Sequence, residues 1–137
     1  MEETRAVGIR YYQLVNERRF DELQELAADD YVGHGLGGAG GAEALRRDTE
    51  GYVSAFPDLE FSIEDTIVEG DKVVVKTTMR ATNKGPFAGV PASGNRVEIG
   101  GCDVFRVVNG KIAEGWTLCD SGTLLMQIGA MSLPTAS

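Results

Sequence analysis

Two aspartates stand in stretches otherwise built from large apolar side chains. Asp103 lies within the run Arg96 to Val108, and Asp120 closes the run Lys111 to Asp120. Between them Asn109-Gly110 is the strongest short hairpin signal a sequence offers. With these two as the turn, Val108 faces Lys111 and Asp103 faces Trp116. Alternation along each strand then predicts one shared face made of Val97, Ile99, Asp103, Phe105, Val107, Ile112, Glu114, Trp116, Leu118 and Asp120. A carboxylate in such surroundings is paired, wetted or protonated. An acid whose pKa is lifted in this way can exchange protons near neutral pH. The structural alternatives are that Asp120 caps the strand end or binds Arg106 or another basic residue, and that Glu114 pairs with a lysine or arginine.

The other chemistry-bearing residues are fewer. His34 is the sole histidine and sits among glycines, in a loop setting where binding residues concentrate. Residues 33–41 carry six glycines, too flexible for regular structure, and read as a lid over a pocket. Gly35 to Gly40 fits G-x-G-x-x-G, but that fingerprint needs a preceding strand and a βαβ unit, which the surrounding pattern does not supply. Cys102 and Cys119 are too few for a disulfide framework or a zinc site and read as buried thiols. Trp116, Phe105 and Leu118, with Tyr52 and Phe56 from the preceding helix, are the expected apolar wall of a binding pocket.

These residues need a scaffold, and the rest of the chain supplies one. With 137 residues, 42% apolar and 25% charged, a single globular domain with one core is expected. The net charge of −8, with basic residues scattered apart from Arg18-Arg19 and Arg46-Arg47, disfavours nucleic acid. Met1 to Arg10 has two glutamates and no apolar run, so neither a signal peptide nor a membrane span is expected there, and cytoplasm is the default.

Helical spacing of Val7, Tyr11, Leu14 and Val15 predicts a first helix over Thr4 to Arg19. Phe20, Leu23, Leu26 and Ala27 predict a short second helix ended by Asp29-Asp30, and Ala42 to Phe56 a third stopped by Pro57. Beyond Pro57 the apolar period falls from about 3.6 to 2, so strands follow. Leu59 to Glu64 alternates, Gly70-Asp71 turns, Lys72 to Thr82 is rich in β-branched residues, and residues 85–94 are a loop. Three helices followed by about four antiparallel strands predict an α+β architecture, helices on one face of a curved sheet. The opposite sheet face would carry Cys102, Val104, Val108, Ala113, Gly115, Thr117 and Cys119, small and apolar enough to predict a homodimer through it.

Taken together, Tyr31-Val32-Gly33-His34, Ala55-Phe56-Pro57-Asp58-Leu59, Val68 to Val73, Gly85 to Gly94, Phe105 to Trp116 with Asp120, and Gln127-Ile128-Gly129 resemble the SnoaL-like polyketide cyclase family over nearly the whole chain. The resemblance implies the cone-shaped α+β barrel of nuclear transport factor 2 and ketosteroid isomerase, with a deep pocket between the bent sheet and the first helix. It also implies an acid/base aldol ring closure without metal or organic cofactor. Asp120 matches the acid/base aspartate of characterised cyclases, and His34 the histidine at the pocket mouth. Tyr11 and Asp103 line up with the oxyanion hole of ketosteroid isomerase, an enzyme whose protonated aspartate is a known example of an acid kept neutral by an apolar site. The general base of that isomerase is missing, because Gly35 follows His34.

An aldol closure needs a base for a carbon-bound proton and a donor for the enolate oxygen. The expected enzyme is therefore a cofactor-free cyclase or isomerase on a polyketide-like carbonyl compound, with Asp120 as acid/base and His34, Tyr11 or Asp103 polarising the carbonyl. Epoxide opening by paired acids on the same scaffold is one alternative. A non-catalytic protein that binds a small apolar ligand is another, and fold alone does not separate them.

Overall fold

The computed structural model describes residues 2–34 and 40–132. Helices α1 (Glu2–Asn16), α2 (Phe20–Leu26) and α3 (Ala42–Ala55) pack on a sheet of β1 (Ala27–His34), β2 (Glu60–Glu69), β3 (Lys72–Thr82), β4 (Arg96–Val108) and β5 (Lys111–Cys119), and α4 (Ser121–Gln127) follows. The spatial order is β1-β5-β4-β3-β2, antiparallel except that β1 runs parallel to β5. The result is the α+β cone expected, with two additions. Strand β1 replaces the end of the second helix and part of the glycine loop, and α4 lies where the sequence pattern assigns no element. The sheet is thus mixed rather than wholly antiparallel. The lid expected over residues 33–41 falls at 35–39 outside the described residues.

Strand β3 alternates without a break: Val73, Val75, Thr77, Met79 and Ala81 are buried, and the residues between them face outward. Helix α1 packs on this surface and buries Tyr12, Leu14 and Val15, each about 1% exposed. Burying an aliphatic side chain of this kind contributes roughly 1.5–3 kcal/mol. The helix comes this close because residue 8 is glycine: a Cβ there would lie 2.9 Å from Val73 Cγ1 and 3.0 Å from Val75 Cγ2. At its far end the Asn16 side-chain amide exchanges two hydrogen bonds with the Phe61 backbone, both 2.9 Å, fixing α1 to β2. The loop after β3 is held by fully buried Asn83, which donates to the Gly85 carbonyl and accepts from the Ser93 N–H and hydroxyl.

The β4–β5 hairpin begins as the sequence predicts. Asn109 and Gly110 both have positive φ, 52° and 75°, as a type I′ turn requires, and Val108 faces Lys111. Val107 faces Ile112, but Arg106 then faces Glu114, so Ala113 is an extra residue in β5. From that point the predicted register is corrected by one place: Asp103 faces Thr117, and Trp116 faces Val104. One residue of slip exchanges the two faces. Val97, Ile99, Asp103, Phe105 and Val107 do turn inward, whereas Glu114, Trp116 and Leu118 turn outward and Gly115, Thr117 and Cys119 turn inward.

Candidate active site

The concave side of the sheet, α1, α3 and β1 enclose a cavity of about 430 Å³, within the usual size range of small-molecule sites. Val15, Leu45, Leu59, Met79 and Ile99 give it an apolar wall, and Tyr11, Tyr31, Tyr52, Asp48, Thr49, Asp103, Thr117 and Cys119 bring polar atoms to it.

Asp103 is the buried acid. It is 8% exposed, and both carboxylate oxygens accept hydrogen bonds: Oδ2 from the Tyr12 hydroxyl and Oδ1 from Thr117 Oγ1 at 2.6 Å. Burial raises its pKa to about 6, against the opposing pull of the Thr117 hydrogen bond.

Tyr11 lies next to Tyr12 on α1, with the two rings edge to face at 4.9 Å between centroids. Its ring rests on Phe105 at 5.0 Å, and its hydroxyl is 3.2 Å from Thr49 Oγ1. Thr49 gives its single hydroxyl hydrogen to the Leu45 carbonyl at 2.8 Å. Tyr11 is therefore the donor in that pair. Burial, followed by the nearby charge of Asp103, pushes the Tyr11 pKa far above its ordinary value, so the phenol stays protonated and can donate. Tyr31 and Tyr52 are each pushed up to about 12, by burial first and then by Asp48 and Cys119 respectively. At the rim, burial raises Asp48 while Arg47 opposes it.

Of the nine residues singled out in the sequence, Asp103, Tyr11, Tyr52 and His34 border the cavity, and Leu118 touches it although it is 63% exposed and its side chain turns outward. Phe105 and Phe56 do not: they are 2% and 0% exposed, packed behind the wall, with Phe56 against Phe87. Trp116 is on the outer face because of the β5 bulge. There its ring stacks on His34 at 4.8 Å, and Lys72 Nζ lies 5.8 Å from the ring centre. His34 Nε2 is 2.8 Å from Glu114 Oε2, and Arg106 Nε donates to Glu114 Oε1 at 2.7 Å. Glu114 is accordingly lowered, by His34 first and Arg106 second, and is the ion-paired acid expected. The imidazole is thus engaged outside, although His34 touches the cavity edge.

Asp120 is likewise not on the cavity wall. Its side chain is the N-cap of α4, accepting from the Thr123 N–H at 3.1 Å and the Thr123 hydroxyl at 2.6 Å, and those bonds lower its pKa. It is an exposed residue. Asp120 and His34 therefore do not meet in one hollow: His34 borders the cavity and Asp120 does not. Both cysteines, expected on the outer face, border the cavity: Cys119 turns inward with its thiol 3.3 Å from Ser121 Oγ, and Cys102 pairs with outward-facing Leu118. Both thiols are free. Among the described residues no group of three or more His, Cys, Asp or Glu is placed to hold a metal ion, and no helix is long and apolar enough to cross a membrane.

Sequence reasoning missed Tyr12, Thr49, Thr117 and Tyr31. Thr49 was accessible, since Leu45, Thr49 and Tyr52 share a helix face by spacing; Thr117 was hidden by the bulge.

The family profile described as SnoaL-like polyketide cyclase matches residues 6–128. Among solved structures, TsrD from Streptomyces laurentii superposes with a TM-score of 0.87 at 28% identity, covering 96% of this chain and 98% of that one. AclR from Streptomyces galilaeus, named as a candidate hydroxylase, gives 0.85 at 26% identity over 96% and 99%. IdmH from Streptomyces antibioticus, named as a candidate polyketide cyclase, gives 0.74 at 30% identity over 93% and 97%. No curated protein matches in a sequence search.

Proposed function

We propose, from the premise that this chain belongs to the SnoaL-like polyketide cyclase family, that it is a cyclase or isomerase in which Asp103, not Asp120, is the acid/base. The observation that carries this reading is a single buried carboxyl on the cavity wall, lifted toward neutrality, beside a half-buried phenol that stays protonated. The substrate would be a polyketide-like carbonyl compound, largely apolar and uncharged, since the cavity lining has two aspartates and no lysine or arginine. Asp103 removes a proton from carbon next to a carbonyl, and Tyr11 turns its one hydroxyl hydrogen from the long 3.2 Å contact with Thr49 to the oxygen as it becomes an enolate. The enolate carbon then attacks a second carbonyl of the same molecule, forming the new C–C bond. The resulting alkoxide recovers the proton from Asp103, so the enzyme ends as it began. Tyr12 and Thr117 hold the carboxylate in place throughout.

The proton transfer can be tested without the natural substrate. With 1-tetralone as probe in deuterated buffer, native protein should speed exchange of the α-hydrogens, followed by NMR, and Asp103→Asn should lose about 10²–10⁴-fold of that acceleration. Equal exchange rates in native protein and a folded Asp103→Asn variant would leave a binding protein in place of an enzyme.

We propose also that two copies pair through the outer sheet face. Ile67, Leu118 and Val108 are 59%, 63% and 40% exposed there, and the charges around them, Lys72, Lys76 and Arg106 against Asp65 and Glu114, are of both signs, which suits a face that meets itself. The cytoplasm, where thiols such as Cys102 and Cys119 stay reduced, is the compartment this reading favours.

A further inference from the structure

Tyr31 belongs to β1, the strand that the sequence did not announce. The residue is 5% exposed, yet its hydroxyl makes no hydrogen bond to any described residue. Nor is that oxygen sealed away among the buried unpaired atoms; Tyr31 lines the cavity. Its seat is built by two glycines that face each other across neighbouring strands, Gly33 of β1 and Gly115 of β5. A Cβ at Gly33 would stand 3.0 Å from the Tyr31 oxygen, and one at Gly115 2.9 Å. Both strands thus give up a side chain where the phenol lies. The hydroxyl feels Asp48 at the rim and is itself felt by Tyr11 deeper in.

We infer that Tyr31 is a specificity-determining residue: its O–H donates to a second oxygen of the substrate, remote from the carbonyl that Asp103 and Tyr11 engage. The inference rests on the reading of the cavity above and adds a requirement to it. The occupant must present two acceptor oxygens, and the pair of donors fixes which way round it lies. The hydroxyl opens on the cavity with no protein acceptor of its own, so a ligand oxygen placed there takes over a hydrogen bond that the free protein leaves to solvent, and a ligand without that oxygen does not. The same preference would orient the chain of a polyketide-like molecule so that one particular methylene faces Asp103.

Anthrone and anthraquinone share a tricyclic frame and differ in having one carbonyl oxygen or two on opposite edges. Dissociation constants for both, measured by calorimetry on the full chain, test the inference. Native protein should bind anthraquinone roughly three- to tenfold more tightly. Tyr31→Phe should abolish that ratio while leaving anthrone affinity and thermal stability unchanged, a result that a merely structural tyrosine would not give. Gly115→Ala, which pushes the phenol from its seat, should act in the same direction. A ratio that survives in Tyr31→Phe, equal weakening of both probes, or no binding of either to native protein overturns the inference. Because the readout is affinity, it can fail while Asp103-dependent exchange stands, and the reverse.

Discussion

The Tyr12 hydroxyl donates to Oδ2 of Asp103, joining the first helix to the fourth strand behind the acid that lines the cavity. A carboxylate that accepts hydrogen bonds is stabilised in its charged form. Tyr12→Phe removes one of the two donors on this acid and keeps the ring packing. The midpoint of the pH dependence of α-hydrogen exchange should therefore move above the native value, and stability at pH 7 should fall by about 1–3 kcal/mol. A pH profile and a denaturation curve check both; an unmoved midpoint would mean the hydrogen bond does not govern Asp103.

Asp103 also makes a signed prediction about stability and pH. Its folded pKa, raised to about 6, exceeds its ordinary value of 3.8, so the folded state binds the proton more tightly than the unfolded one. The destabilisation is complete above about pH 6 and is relieved as pH falls from there toward 3.8. This contribution is on the order of 3 kcal/mol. Activity runs the other way, rising with pH through about 6 as the base ionises. The difference in unfolding free energy between native protein and Asp103→Asn, followed from pH 7 to pH 4, isolates it.

For Asp120 the prediction is structural. Asp120→Ala removes both acceptors for Thr123 at the start of α4 and should lower Tm by a few degrees. Exchange of 1-tetralone hydrogens should stay within about twofold of native, a smaller change than loss of a general base produces. If exchange instead collapses in a folded protein, the acid/base role returns to Asp120, as the family resemblance implied.

Pairing through the outer sheet face predicts a dimer in sedimentation at micromolar concentration. Ile67→Arg, a substitution at a residue remote from the cavity wall, should give a monomer with exchange activity intact. A native protein that sediments only as monomer ends that proposal.

Much of the scaffold could be read from the residues alone. Strand β3 and the span of β4 follow directly from alternation, and the turn at Asn109-Gly110 from its residue types. Strand β1 escaped because Ala27-Ala28-Asp29-Asp30-Tyr31 lacks alternation: its burial is irregular, and its register against β5 shifts between Ala27 and Val32. Helix α4 escaped because seven residues that include Gly122 carry too little period to register. In the site, spacing selected the first helix but not which tyrosine bonds Asp103. Tyr11 and Tyr12 lie about 100° apart on a helix, and the structure uses both, one on the acid and one in the hollow. The inward placement of Asp103 was legible; the displacement of Trp116, Leu118 and Asp120 was not, because one unpaired residue leaves the apolar pattern of β5 almost unchanged.

That residue, Ala113, decides whether there is a hollow at all. With an unbroken ladder an indole and a leucine would point to where Gly115, Thr117 and Cys119 now leave room, and the acid would face bulk hydrocarbon without its threonine partner. Loss of a single codon at this place would turn a vessel into a plug while leaving β2, β3 and β4 as they were.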